Sequence, residues 1–298
     1  MDNIRGSILM VLAMLGFAIE DMLIKQMAGT LPVGQVVIGL GIGGAVIFGI
    51  MVKTYGEALW SRAVLHPAVI SRNLFEVFGT LGFVSAIALT PISTASAILQ
   101  ATPLVVTLGA ALFLGETVGW RRWAASSVGL SGVLLIIRPG MEGFDAKSLL
   151  AVIGVIGLAG RDLSTRRIPS EISSRQIAFY SFIVSIFTGG ILLRLGVTGD
   201  TWLATSTDEN LRLAAAIVVG VLAYYAIVAA TRVGDVAIVA PFRYSRLVFA
   251  LVVGVLAFGE RPDALTLIGA LIIVASGFYT LWREAQLRRA SPRPEAAL

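Results

Sequence analysis

Gly16-Phe-Ala-Ile-Glu-Asp-Met-Leu-Ile-Lys25 and Gly157-Leu-Ala-Gly-Arg-Asp-Leu-Ser-Thr-Arg166 are the two stretches on which the fold turns. They lie about 141 residues apart. Each sets a charged pair, Glu20-Asp21 or Arg161-Asp162, inside a run that is otherwise apolar and long enough to cross a membrane. A charge in hydrocarbon costs roughly 2.5–3.5 kcal/mol on insertion scales, so chains keep such groups mainly where they face a polar interior. Other residues hold the same offset: Gln35 falls on Gln176, Gly79 on Gly220, Phe83 on Tyr224 and Thr90 on Thr231. With about three more residues of shift, Ala111-Leu-Phe-Leu-Gly-Glu116 meets Val255-Leu-Ala-Phe-Gly-Glu260. The chain reads as a duplication.

The composition agrees with a membrane protein. The chain of 298 residues is 57% apolar and 14% charged, against about 45–50% and about 25% in soluble domains. Ten apolar runs of membrane-crossing length are expected at 5–27, 33–52, 68–89, 93–114, 120–138, 147–167, 174–195, 210–231, 236–258 and 264–283. The expected fold is therefore an all-α integral membrane protein: ten transmembrane helices in two five-helix repeats, 1–140 and 145–283. A charged tail, 284–298, is expected to be disordered and cytoplasmic. Five spans per half is an odd number, so the second repeat enters the membrane from the opposite side. Inverted halves of this kind enclose a central cavity with the ligand site near the midplane.

Lys and Arg set the orientation. With both termini cytoplasmic, fourteen of these residues fall on the cytoplasmic side and six on the other, while Arg161, Arg243 and Arg246 lie within spans. Trp60, Trp120, Trp123, Trp202 and Trp282 fall at or beyond span ends, as interfacial anchors do. The net charge of +5 belongs to these loops, and no basic soluble module exists to hold nucleic acid. The chain has no cysteine, which excludes disulfides and thiolate chemistry. The first run carries Glu20 and Asp21 and reads as a retained helix rather than a signal peptide. Gly39-Leu-Gly-Ile-Gly-Gly44 imitates a dinucleotide fingerprint but lies inside a span. Its Gly39 and Gly43 suit close helix packing instead, and no cofactor or metal is expected. The lone histidine, His66, sits in a loop and offers no reaction centre, so an enzyme is not expected.

Ala229-Ala-Thr-Arg-Val-Gly-Asp-Val-Ala-Ile-Val-Ala-Pro-Phe-Arg-Tyr244, running on to Phe258-Gly-Glu260, and the first copy from Ala88-Leu-Thr-Pro-Ile-Ser-Thr-Ala-Ser-Ala97 through Pro103 to Leu114-Gly-Glu116 resemble the drug/metabolite transporter superfamily in its ten-helix, EamA-type branch. The likeness covers nearly the whole chain. It implies a secondary carrier in the bacterial inner membrane, with a cavity lined by spans 1, 3, 4, 6, 8 and 9. Alternating access is the implied mechanism and amino-acid export the leading activity. A vitamin, drug or nucleotide-like solute is the alternative; a pore or an intramembrane enzyme is a distant one. The partners are then the lipid bilayer, a small-molecule substrate and, as a candidate coupling ion, the proton.

Several residues are candidates for the work. Pro103 and Pro241 each remove a backbone donor and kink the fourth and ninth spans, as hinges or as static bends. Arg243 and Arg246 share a helix face near half depth. They either bind a ligand carboxylate, for which the guanidinium fork is suited, or pair permanently with Asp162, Glu20 or Glu76. Glu20, Asp21, Arg161 and Asp162 either couple transport to protons and bind a ligand amine, or form a local salt-bridge set. Glu76 is placed to pair with Arg72 at i,i+4. Gln100 and Tyr244 lie beside the prolines. Phe78, Phe83, Tyr224 and Tyr225 are candidate aromatic walls, with helix packing as the alternative. Glu116 and Glu260 end their helices at a site the helix dipole disfavours, and a loop-bonding or gating role is expected of them.

Overall fold

The apolar runs become helices because hydrocarbon offers no partner for free backbone groups. A computed structural model describes residues 2–60, 62–115, 119–141, 144–233 and 236–290. Its first half holds α1 (Asp2–Met27), α2 (Val33–Thr54), α3 (Pro67–Leu89), α4 (Ile92–Leu99), α5 (Thr102–Phe113) and α6 (Trp120–Ile137). The second holds α7 (Ser148–Thr165), α8 (Ser174–Leu195), α9 (Thr207–Val233), α10 (Val236–Val239), a 3-10 turn (Ala240–Tyr244), α11 (Ser245–Phe258) and α12 (Ala264–Ala290). Among the described residues nine segments are long and apolar enough to cross a membrane, and Trp123–Ile137 is a shorter apolar helix. Local chemistry marks the starts. His66 Nδ1 accepts the Ala68 N–H, with Pro67 at the first position of α3, and Ser173 and Gln176 form a capping box on α8.

Two expectations change. The last helix does not stop at Arg283 but continues to Ala290, so the first part of the expected disordered tail is helical; 291–298 lie outside the described residues. The fourth and ninth spans are interrupted rather than merely bent. In the fourth, Pro103 has no N–H to give the Leu99 carbonyl, and the Thr102 hydroxyl donates to that carbonyl instead, at 2.6 Å. In the ninth, Pro241 lies within the 3-10 turn, and the Ser245 hydroxyl donates to the Phe242 carbonyl at 2.7 Å.

The most extensive packing runs between halves: α1 lies along α9, α2 along α8, α3 along α7 and α6 along α12. Exchanging the two copies turns the α1–α9 pair into α7–α3 and returns the other two pairs to themselves. That is the pattern inverted copies require. Glycine sets the closest approach. A Cβ on Gly157 of α7 would meet the backbone of Gly79 on α3, and one on Gly82 would meet the backbone of Gly154, the small-residue contact typical of membrane helices. Gly39 and Gly43 pack beneath Leu213 and Ile217 of α9.

The repeated glutamines hold loops across the same axis. Gln35, on α2, donates to the Leu203 carbonyl at 2.8 Å and accepts its N–H at 3.0 Å. Gln176, on α8, donates to the Ala58 carbonyl at 2.9 Å and accepts the Ser173 N–H at 3.0 Å. Each half thus ties down the loop that follows the second long helix of the other.

Candidate functional site

The charged groups of the spans gather where α1, α3, α7, α9 and the two broken spans converge, and they form two clusters. In the first, Arg246 Nη2 lies 2.6 Å from Asp21 Oδ2. Its guanidinium stands 5.3 Å from the ring centres of both Phe17 and Phe83, so two aromatic faces and a carboxylate box it in. Arg246 was expected either to bind a ligand carboxylate or to pair with Asp162, Glu20 or Glu76; here it pairs with Asp21. Glu20 points elsewhere, as a neighbour about 100° round the helix must. Its carboxylate lies over Gly220 of α9, where a Cβ would collide with it, and it makes no hydrogen bond or ion pair among the described residues.

The second cluster sits between α3 and α7. Glu76 pairs with Arg72 at 3.2 Å, as the i,i+4 spacing indicated, and with Arg161 at 3.4 Å. Arg161 gives two bonds to Asp162 Oδ1, at 3.0 and 2.9 Å. Arg72 also donates to Ser181 at 2.6 Å. Tyr224 lies within electrostatic range of Arg72, Arg161 and Glu76, and its ring meets Phe48 edge-on at 5.3 Å.

The broken spans meet between the clusters. Gln100, at the end of α4, donates its side-chain amide to the Arg243 carbonyl at 3.3 Å. The Arg243 side chain is exposed and makes no hydrogen bond or ion pair among the described residues, although it lies within electrostatic range of Asp162. The two arginines therefore differ: Arg246 is committed and Arg243 is open.

Three aromatic assignments need correction. Phe78 is 49% exposed and lies with Ile70 and Leu74 on one apolar outer stripe of α3, well round the helix from Glu76. Tyr225 is 62% exposed and continues the outer stripe of Leu211, Val218 and Leu222 on α9. Both stripes suit lipid. Tyr244 is buried and packs on Gly277 of α12, so it lines no open wall, although it lies within electrostatic range of Arg243. Phe83 and Tyr224 remain with the clusters.

One arrangement was only half legible in the sequence. Gly259, at φ 62°, ends α11 in the left-handed conformation that glycine favours, and the Glu260 N–H returns to the Gly254 carbonyl at 2.9 Å. The Glu260 side chain then crosses to the other half. It accepts the Ile92 N–H at 2.6 Å and the Ser93 N–H and hydroxyl at 3.0 and 2.6 Å. An acid badly placed for its own helix is thus well placed at the N-terminus of α4. Lys25 stands 3.9 Å away and donates to the Ile87 and Thr90 carbonyls. The repeated Gly-Glu pointed to Glu260 but not to its partners. Gly115 has the matching conformation at φ 67°, and Glu116 lies outside the described residues.

Comparison with known proteins agrees with this architecture. The EamA-like transporter family matches the chain twice, over 4–138 and 146–282, one match for each half. An S-adenosylmethionine uptake transporter of Rickettsia conorii is 29% identical over 75% of this chain and 74% of its own length. A pseudopaline exporter of Pseudomonas aeruginosa is 28% identical over 91% and 94%, and a riboflavin transporter of Vibrio cholerae is 31% identical over 80% and 81%. A protein of known crystal structure aligns at a TM-score of 0.54 and 18% identity, over 94% of this chain and 99% of that one, a likeness of fold alone.

Proposed function

The chain belongs to the EamA-like transporter family, and from that premise we propose that it is a secondary carrier for a small amino-acid-type zwitterion, working by alternating access across the bacterial inner membrane. The observation that carries this reading is the division of labour between the arginines. Arg243 is exposed beside a break in the ninth span and makes no side-chain hydrogen bond or ion pair among the described residues, and a guanidinium is the right group to take a carboxylate through two parallel hydrogen bonds. Asp162 lies within electrostatic range of it and keeps Oδ2 clear of its bonds to Arg161, and Glu20 is unpaired among the described residues; either suits an ammonium. We assign Glu20 and Asp162 as the carboxylates that also exchange protons during the cycle. The relatives support the breadth of the class without fixing the solute, and S-adenosylmethionine is itself an α-amino acid.

Both termini lie in the cytoplasm in this reading, on the strength of the Lys and Arg bias. Net movement of a carrier follows the solute gradient and any coupled proton, so cytoplasmic excess of an amino acid drives export. The test is counterflow in proteoliposomes with labelled amino acids, S-adenosylmethionine and riboflavin. Saturable exchange of an amino-acid solute is expected, together with loss of exchange in Arg243→Ala. Undiminished exchange in that variant removes Arg243 from the site. Exchange of riboflavin alone replaces the substrate class, and no exchange of any small metabolite removes the carrier reading.

A further inference from the structure

One end of the bundle is closed by bonds between the halves. At the end where α1 and α3 finish and α4 begins, the chain is sealed. Ile92, Ser93, Ala95, Ser96, Ala97, Ile98 and Leu99 are all buried, and the Glu260 carboxylate clasps the α4 N-terminus with Lys25 beside it. The same end carries a second tie between the helices that complete the halves, Arg138 after α6 to Asp263 before α12. At the opposite end Glu116, the counterpart of Glu260, lies outside the described residues, and a repeat-related position is more exposed. Thr90 is 4% exposed, whereas its counterpart Thr231 is exposed.

We infer that Glu260, with Lys25, is the latch that closes this end of the transport path, and that its release from α4 is an obligatory step of the cycle. The inference deepens the carrier reading and rests on it. The reasoning is symmetry. Inverted copies exchange conformations to open the opposite side, so one state of the cycle opens this end and must break the bonds that seal it. Among the contacts at the sealed end, the Glu260 set is the one that bonds a turn of the second half to a helix start of the first. It is also built for release. It joins helix ends rather than interlocking side chains, and every bond in it can be exchanged for one to water when the end opens. With the termini cytoplasmic, the sealed end faces outward.

The chain contains no cysteine, so an introduced one reports alone. Ser96→Cys places a thiol one turn behind the latch, at a residue 1% exposed. The purified full-length protein in detergent is treated with a charged maleimide, and the labelling rate is compared in Ser96→Cys, Ser96→Cys/Glu260→Ala and Ser96→Cys/Lys25→Ala, with Thr231→Cys as the exposed comparator. Losing charge-assisted bonds of this kind is expected to raise the open population, and with it the labelling rate, by about tenfold or more in the Glu260 variant and by less in the Lys25 variant. Should Glu260→Ala not fold, Glu260→Gln carries the same expectation with a smaller rise. An unchanged rate at Ser96→Cys in variants that remain folded overturns the latch. The readout needs no substrate, so the two readings fail separately. Faster labelling without exchange of any solute leaves the latch and removes the carrier; undiminished exchange with unchanged labelling does the reverse.

Discussion

Replacing Arg246 by methionine separates a structural cation from a transporting one. The substitution keeps most of the side-chain volume but strips Asp21, 4% exposed, of the partner 2.6 Å away. Breaking a buried pair by removing one member costs about 3–5 kcal/mol, because the remaining charge stays out of water. The lost contacts to Phe17 and Phe83 are of the order of 0.5–1 kcal/mol each and fall within that range. At about 2–4 °C per kcal/mol for chains approaching this size, the apparent Tm falls by roughly 6–20 °C. Asp21→Asn costs less, since an amide oxygen still accepts from Nη2 and the two rings remain. The double variant Asp21→Leu/Arg246→Met removes both charges and is expected to recover at least half of the loss, as apolar replacements of whole buried pairs do. The assay is thermal unfolding of purified protein in one detergent at one scan rate, because unfolding of such proteins is commonly irreversible. If the double variant shows only the sum of the Asp21→Leu and Arg246→Met losses, there is no coupling between the residues and the ion pair does not hold these helices. Arg243→Ala, three residues away, is expected to leave the Tm unchanged while abolishing exchange.

Three other outcomes follow from the geometry. Gly157→Leu drives a side chain into the backbone of Gly79 and is expected to separate α3 from α7, seen as loss of the monodisperse peak in size-exclusion chromatography. Gln176→Leu removes the bonds to Ala58 and Ser173, each worth about 1 kcal/mol. Limited proteolysis should then cut between residues 55 and 66 faster than in the parent, with 196–206 unaffected; Gln35→Leu should give the reverse. Outside the spans, the Arg175 guanidinium bonded to Glu57, helped by the Ser173 hydroxyl, holds the Glu57 carboxyl below the usual carboxylate range. A lowered carboxyl pKa contributes stability above the ordinary value, and that contribution is lost as pH falls through the lowered one. The Tm advantage of the parent over Glu57→Gln should therefore be present at pH 7 and vanish on acidification below about pH 4.

The spans and the repeat were legible because they rest on length, hydropathy and offset, which are properties of the chain alone. The rotation of each helix was not. The spans are apolar nearly all round, so no stripe distinguishes the inner face, and neighbouring residues differ by about 100°. Phe78 and Tyr225 were therefore indistinguishable from Phe83 and Tyr224 until the glycine contacts set α3 against α7 and Gly220 set α9 against α1. The same ambiguity hid the choice of Asp21 over Glu20 as the partner of Arg246. Glu260 was legible as a loop-bonding or gating residue, but its partners were not, because they lie 167 and 168 residues away.

The interleaving of the halves has a consequence for biosynthesis. α1, α2, α3 and α6 each find their principal neighbour in the second copy. A nascent chain that has delivered only its first five spans to the bilayer therefore holds few of its final contacts. Its exposed glycine faces and ionic side chains must wait, shielded by lipid, water or the insertion machinery, until the later spans arrive. Misassembly should concentrate in that interval, and a ribosome stalled near residue 140 would display the most vulnerable form of the protein.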